Sequence, residues 1–274
     1  MPVSVTFWGV RGSIPTPVRA NLGVGGNTAC VEVRTESQML ILDAGTGIQA
    51  CGNRLFAENG HAPRDVTVCL SHFHWDHLQG LPFFTPLYRS DFRLRFANSS
   101  AGETTRGMLQ RLMEPPYFPV TWETTASKKE YLAVSSCGFA VGELQVYPIP
   151  LHHPQGATGY RIGSHAGLIV YASDFEHGDP HSDRLLLESA RNAELLIYDA
   201  QYTPEEYETG RRGWGHSTWR EAATLAKAAN VRRLVLFHHD PGHTDAMMDD
   251  IQSSVRQLFA NTDVAVEGSS ISIG

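Results

Sequence analysis

Two spacings of apolar residues take turns along the chain. Val3 to Val10 alternates apolar with polar positions and is rich in β-branched and aromatic residues, which predicts a half-buried strand. Further strands are expected at Ala29 to Arg34, Met39 to Leu42, Phe92 to Phe96, Tyr131 to Ser135, Leu144 to Ile149 and Val231 to Phe237. Val66 to Leu70, Leu168 to Ala172 and Leu195 to Tyr198 are short, nearly continuous apolar runs, the mark of strands covered on both faces. Helical spacing appears from Ile48 to Glu58 and from Glu103 to Met113. It returns after Thr218, through Ala222, Leu225, Ala226 and Ala229, and again from Asp245 to Phe259. Thr203-Pro204-Glu205-Glu206 and Thr218 with Glu221 have the form of capping boxes.

Breakers separate these elements. Arg11 to Pro17, Gly23 to Thr28, Gly60 with Pro63, and Pro115 to Pro119 cannot continue regular structure. Leu78 to Phe84 reads as a short helix or loop, and Val264 to Ile273 as one terminal strand with a Gly-Ser break. Strands dominate the early half, whereas strand and helix alternate in the later half. That order predicts sheets packed face to face with helices outside. No low-complexity linker interrupts it, so residues 1–274 are expected to form one domain.

Composition narrows the class without deciding it. With 42% hydrophobic residues, 19% charged residues and a net charge of −7, the chain has the make-up of an ordinary globular protein and no broad basic footprint. Neither a signal-like N-terminus nor a run of about 20 apolar residues is present, so a complete, cytoplasmic chain with no membrane partner is expected. Cys30, Cys51, Cys69 and Cys137 form no Cys-x-x-Cys pair and are expected as reduced thiols.

The chemistry concentrates where apolar runs stop. Val66 to Leu70 leads into Ser71-His72-Phe73-His74-Trp75-Asp76-His77, three imidazoles and a carboxylate within six residues. Imidazole is the commonest protein ligand for borderline metals, and carboxylate adds charge. His72 and His74 share a face in extended backbone, and a turn into Leu78 would bring Asp76 and His77 to the same centre. Downstream, other runs end in His152-His153, Ser173-Asp174, Asp199-Ala200 and His238-His239, and Met39 to Leu42 ends in Asp43. Strands that each end in His or Asp line up polar tips along one sheet edge, where α/β active sites gather. On the residues alone, either member of each adjacent histidine pair could face the centre. Ser13 and Asn27, in the flexible loops near the start, are candidate substrate contacts.

Together, His72-x-His74-x-Asp76-His77, His153, Asp174 and His238 resemble the metallo-β-lactamase fold superfamily. Gly215-His216-Ser217-Thr218 and the Asp199-Ala200 strand end resemble its branch of tRNase Z and phosphoribosyl cyclic phosphodiesterases. The likeness runs from Phe7-Trp8-Gly9-Val10-Arg11-Gly12-Ser13 to His238. It implies an α/β fold, a four-layer αββα sandwich of two mixed β-sheets with helices on the outer faces. It also implies two divalent metal ions, one on His72, His74 and His153, the other on Asp76, His77 and His238, with Asp174 bridging them. Zinc is expected, with manganese or iron as alternatives, because the ligands lack a thiolate. His216 is similar to a histidine that gives a proton to the leaving group. Asp199 matches the carboxylate that orients it, usually glutamate in the relatives, and Asp43 an aspartate behind the first metal histidines. His61, His165, His177, His181 and His243 are left with ordinary roles.

Such a centre polarises a phosphoryl oxygen and supplies a metal-bridging hydroxide at neutral pH. Asp76 would orient the hydroxide, and His216 would protonate the departing oxygen. The resemblance therefore implies a binuclear metal-dependent hydrolase, a phosphodiesterase acting on a small cyclic or linear phosphodiester. A carbonyl-ester hydrolase of the same fold, a lactonase or thioesterase, is the alternative, and a non-catalytic binding protein is a second one. The acidic charge and the lack of a Gly- and Lys-rich arm lead to an expectation of a small substrate and no extended nucleic-acid surface. A homodimer is expected because relatives often form one.

Overall fold

The computed structural model describes residues 2–58 and 64–274; Gly60, His61 and Pro63 lie outside the described residues. The first half of the chain supplies β1 (Val3–Gly9), β2 (Cys30–Arg34), β3 (Met39–Leu42), α1 (Ile48–Ala57), β4 (Asp65–Cys69), β5 (Arg93–Asn98), α2 (Gly102–Leu112) and β6 (Lys128–Ala133). The second supplies β7 (Phe139–Val141), β8 (Leu144–Leu151), β9 (Ala157–Ser164), β10 (Gly167–Ala172), α3 (Pro180–Ser189), β11 (Leu195–Asp199), α4 (Pro204–Glu206), α5 (Trp219–Ala228), β12 (Leu234–Phe237), α6 (Asp245–Leu258), β13 (Thr262–Val264) and β14 (Ser270–Ile273).

Two seven-stranded sheets result, ordered β14-β1-β2-β3-β4-β5-β6 and β13-β12-β11-β10-β9-β8-β7. In the first, three antiparallel pairings are followed by three parallel ones, and the second shows the same succession read from β7 to β13. The second sheet thus repeats the first in its pattern of pairing, with β14 reaching the first sheet from the C-terminal end of the chain. Side-chain alternation decides what each strand buries: on β3, Leu40 and Leu42 point between the sheets, while Met39 and Ile41 point outward to Ile48, Cys51 and Leu55 of α1. Leu186 of α3, Ala222 and Ala226 of α5, and Met248, Ile251 and Val255 of α6 cover the other sheet. The layers are helix, sheet, sheet, helix, an αββα sandwich of two mixed sheets.

Three expectations needed correction. The terminal stretch forms two strands that join different sheets, because the turn around Gly268, at φ 80°, sends β13 and β14 apart. The strand expected at Tyr131 to Ser135 begins earlier, at Lys128, where its partner β5 offers paired backbone. Strand β9 and helix α3 were not anticipated; β9 holds Gly159 and Gly163, and α3 buries a single residue, Leu186. Both predicted capping threonines do accept, Thr203 from Glu206 N and Thr218 from Glu221 N. The four cysteines are free thiols. No helix of the described residues is long and apolar enough to cross a membrane.

Candidate metal centre

Parallel strands carry their ends to a common edge. Strands β10, β11 and β12 run parallel, and β8 runs the same way two antiparallel steps from β10, so His153, Asp174, Asp199 and His238 leave the second sheet together. From the first sheet, β4 delivers residues 71–77, whose last three residues form a 3-10 turn. Asp43, Asp174 and His238 take left-handed backbone at φ 62°, 60° and 61°, which turns each side chain back over the edge.

Five imidazoles and two carboxylates converge there. The inner nitrogens of His72, His74 and His153 lie within metal-ligand reach of one another, as do ligand atoms of Asp76, His77 and His238. Between the groups sits Asp174, 2% exposed. Its Oδ1 faces His72 Nε2 at 3.8 Å and His153 Nε2 at 3.7 Å, and its Oδ2 faces His77 Nε2 at 3.0 Å and His238 Nε2 at 3.4 Å.

The outer ring nitrogens are committed elsewhere. His77 Nδ1 meets Asp43 Oδ2 at 2.8 Å, His153 Nδ1 the carbonyl of Gly215 at 2.8 Å, His238 Nδ1 Gln201 Oε1 at 2.9 Å, and His72 Nδ1 Ser71 Oγ at 2.9 Å. His74 is turned over: its Nε2 meets Gln155 Oε1 at 3.2 Å, and its Nδ1 faces inward. With the outer nitrogen donating, each inner nitrogen presents a lone pair to the centre. Protein alone does not satisfy those lone pairs. His72 Nε2 is buried without a hydrogen-bond partner, His77 Nε2 stands 3.2 Å from His238 Nε2, and His153 Nε2 stands 3.3 Å from His74 Nδ1. Lone pair facing lone pair is repulsive unless a cation lies between, so this donor set fits divalent metal ions. Burial and the neighbouring His77 hold His72 well below the usual imidazole range, and burial also lowers His153, which keeps both neutral as ligands must be.

The adjacent histidines separate cleanly. His152 is exposed, with Nδ1 on the carbonyl of Glu176 at 3.1 Å, and His239 turns its Nε2 to the carbonyl of Ala265 at 3.0 Å. Burial pushes His239 down to about 3, so it is a neutral structural residue. His243, also buried, pairs with Glu206 at 3.0 Å. Of the two loop residues, Ser13 does reach the cluster, its backbone N–H donating to Asp76 Oδ2 at 2.7 Å. Asn27 does not: its amide donates to Glu267 Oε1 at 2.5 Å and its carbonyl accepts from Val10 and Arg11, so its work is to hold the loop.

At the rim, His216 Nδ1 lies 2.8 Å from Asp199 Oδ2, and its ring stacks on that of His238 with centroids 5.0 Å apart. Asp199 also accepts from the backbone N–H groups of Phe175 and Gln201, so it is held from two sides. Gly215, just before His216, has φ 89°, and a Cβ there would come within 2.4 Å of His153 Nδ1; only glycine fits. A cavity of about 470 Å³ opens beside His72 and His74, walled by Ser99, Met108, Gln155 and Thr158.

Burial opposes charge on His216. Attraction from Asp199, the hydrogen bond to it, and the fields of Asp174 and Asp76 outweigh that and raise the imidazole to about 9. An NMR titration of metal-free protein should therefore find His216 protonated at pH 7; a midpoint at or below the unperturbed value of about 6.5 would contradict this. The folded value lies above the unfolded one, so the stabilisation is complete below about pH 6.5 and is lost as pH rises through about 9.

The β-lactamase superfamily domain model matches residues 38–239, most of the chain. The chain belongs to the β-lactamase superfamily. Among relatives of this superfamily member, ribonuclease Z of Methanosarcina acetivorans is 27% identical, with 95% of each chain covered. Ribonuclease Z of Gemmatimonas aurantiaca is 27% identical over 100% of this chain and 96% of its own. Similar solved folds include the metallo-β-lactamase fold protein YhfI from Bacillus subtilis, TM-score 0.74 at 19% identity, covering 99% of both chains. The short form of human tRNase Z has TM-score 0.69 at 21% identity, again covering 99% of both.

These relatives correct one expectation. A small substrate with no extended nucleic-acid surface was inferred from the acidic net charge and the missing basic arm. Full-length relatives named ribonuclease Z overturn it. Net charge averages over the whole surface, whereas a nucleic-acid site needs favourable groups only along its own rim.

Proposed function

We propose that the chain is a metal-dependent phosphodiester hydrolase whose substrate is RNA. The observation that carries the reading is the His216–Asp199 pair, 2.8 Å apart, at the rim of the seven-residue His and Asp cluster. Cleaving a sugar–phosphate bond expels an alkoxide, and an alkoxide needs a proton donor. The relatives named ribonuclease Z support RNA as the ester.

His72, His74 and His153 would hold one divalent ion, Asp76, His77 and His238 a second, and Asp174 would touch both. Bound there, divalent ions supply Lewis acidity and lower the pKa of water. The chain's own residues do the rest. Asp43, Ser71, Gln201 and the Gly215 carbonyl fix the imidazole orientations. Asp76, held by the Ser13 N–H, keeps a carboxylate oxygen turned to the second group. With Nδ1 committed to Asp199, His216 gives its proton from Nε2 to the oxygen leaving phosphorus.

The test is turnover by protein reconstituted with zinc or manganese and assayed for bound metal. The panel contains tRNA transcripts, single-stranded RNA, a lactone and a thioester. Cleavage of RNA at internal phosphodiester bonds is expected. Intact RNA alongside brisk lactone or thioester hydrolysis would overturn the reading.

A further inference from the structure

The turn that carries His216 has a second, outward face. After α4 the chain runs through a π-helical segment, Tyr207–Arg211, and then Arg212-Gly213-Trp214-Gly215. The Arg211 guanidinium lies over the Trp214 ring, 4.5 Å from its centroid, and 5.9 Å from the ring of Tyr202 beneath. Tyr202 is buried, and its ring meets His216 edge-on with centroids 5.9 Å apart. Trp214 keeps 56% of its surface in solvent. Guanidinium, indole, phenol and imidazole thus form one continuous run from the solvent to the proposed proton donor.

A single exposed tryptophan on a loop would need no explanation. This one sits on a pinned support. The Glu176 carboxylate, itself buried, accepts from Gly213 N at 2.5 Å, Gly215 N at 2.7 Å and Tyr207 Oη at 2.9 Å. Trp214 N donates to the Arg211 carbonyl at 3.1 Å. Arg212 is neutralised by Glu208 at 2.8 Å, while Arg211 has no carboxylate partner among the described residues. A free cation and an aromatic face, held rigid beside His216, match what an unpaired nucleotide offers: a base to stack and a phosphate to neutralise.

We infer that Arg211 and Trp214 are a stacking platform for the unpaired nucleotide on the leaving side of the scissile phosphate. The inference rests on the RNA reading above. The side follows from His216: the group that receives its proton belongs to the nucleotide nearest its turn. Because every base has a π-face, the platform grips without reading sequence.

The test uses zinc-loaded protein and a short single-stranded RNA with a non-hydrolysable methylene-phosphonate at the central link, with Kd measured by fluorescence anisotropy. Trp214→Ala should weaken binding roughly 5- to 150-fold, the range of base–aromatic stacking, and Trp214→Phe should recover much of it. Arg211→Ala should weaken binding and flatten the plot of log K against log salt by about 0.7, one phosphate's share. Removing the base on the leaving side of the link should cost wild type the same factor as Trp214→Ala and cost that variant nothing further, whereas removing the base on the other side should cost both proteins alike. Phe56→Ala removes another aromatic under an arginine, Arg89, near the C-terminal end of α1, and should leave Kd unchanged. An unchanged Kd in Trp214→Ala, or losses from variant and abasic site that multiply, would overturn the platform. Cleavage of the ordinary RNA by wild type judges the RNA reading separately, so either claim can fall alone.

Discussion

Asp174→Ala should leave the protein with one bound ion or fewer where wild type should hold about two, and turnover should fall by about a thousandfold or more. Asp174 is the carboxylate that touches both histidine groups, Oδ1 toward His72 and His153, Oδ2 toward His77 and His238. Burial works against its charge, yet the neighbouring His238 and His77 hold it well below the usual carboxylate range. Removing Asp174 leaves five imidazoles with Asp76 as the one carboxylate among the proposed ligands, a set poorly suited to two dications. Alanine at φ 60° adds backbone strain of about 1–2 kcal/mol, so Asp174→Asn is the sharper companion. Asparagine accepts that φ and keeps one oxygen but loses the charge. Metal analysis by mass spectrometry with circular dichroism reads both variants. If Asp174→Asn folds, binds two ions and turns over normally, the bridging role is lost.

How much of this was legible in the chain follows from what each residue needs. The strand β3, Met39–Leu42, was readable to the residue because every position is apolar and Asp43 stops it. The His and Asp cluster was readable because its members end apolar runs, and parallel strands bring such ends together. The support around it was less so. Gln201, two residues beyond Asp199, left a faint signal as a polar residue near a strand end. The Gly215 carbonyl on His153 and the Tyr171 hydroxyl on Asp43 left none, since a backbone oxygen has no residue type and Tyr171 looks like any buried aromatic. Strand β9 hid because its glycines lack the β-branched side chains that mark strands, although partners on both sides fix it. The substrate class was misjudged for a related reason: charge summed along a chain carries no information about where the charges end up.

His216→Ala should lower RNA cleavage by about 10²- to 10⁴-fold while metal content stays at the wild-type level, the range for loss of a general acid. The imidazole is not part of either proposed ligand group, and its Nδ1 is taken by Asp199 at 2.8 Å, so what its removal takes away is a proton at Nε2. The nature of the leaving group provides the discriminating experiment. A ribose alkoxide is a poor leaving group and depends on the proton, whereas p-nitrophenolate is stable at neutral pH and departs without one. The variant should therefore lose far less on bis(p-nitrophenyl) phosphate than on RNA. Equal losses on both would assign His216 a structural role instead. Asp199→Asn supplies the pH test. Activity must fall on the alkaline side as the donor loses its proton, and Asp199 is the largest of the charges that raise His216 against its burial. Without that charge the deprotonation midpoint drops, so the alkaline limb of kcat should move to lower pH. A limb that stays in place would mean that another group titrates there.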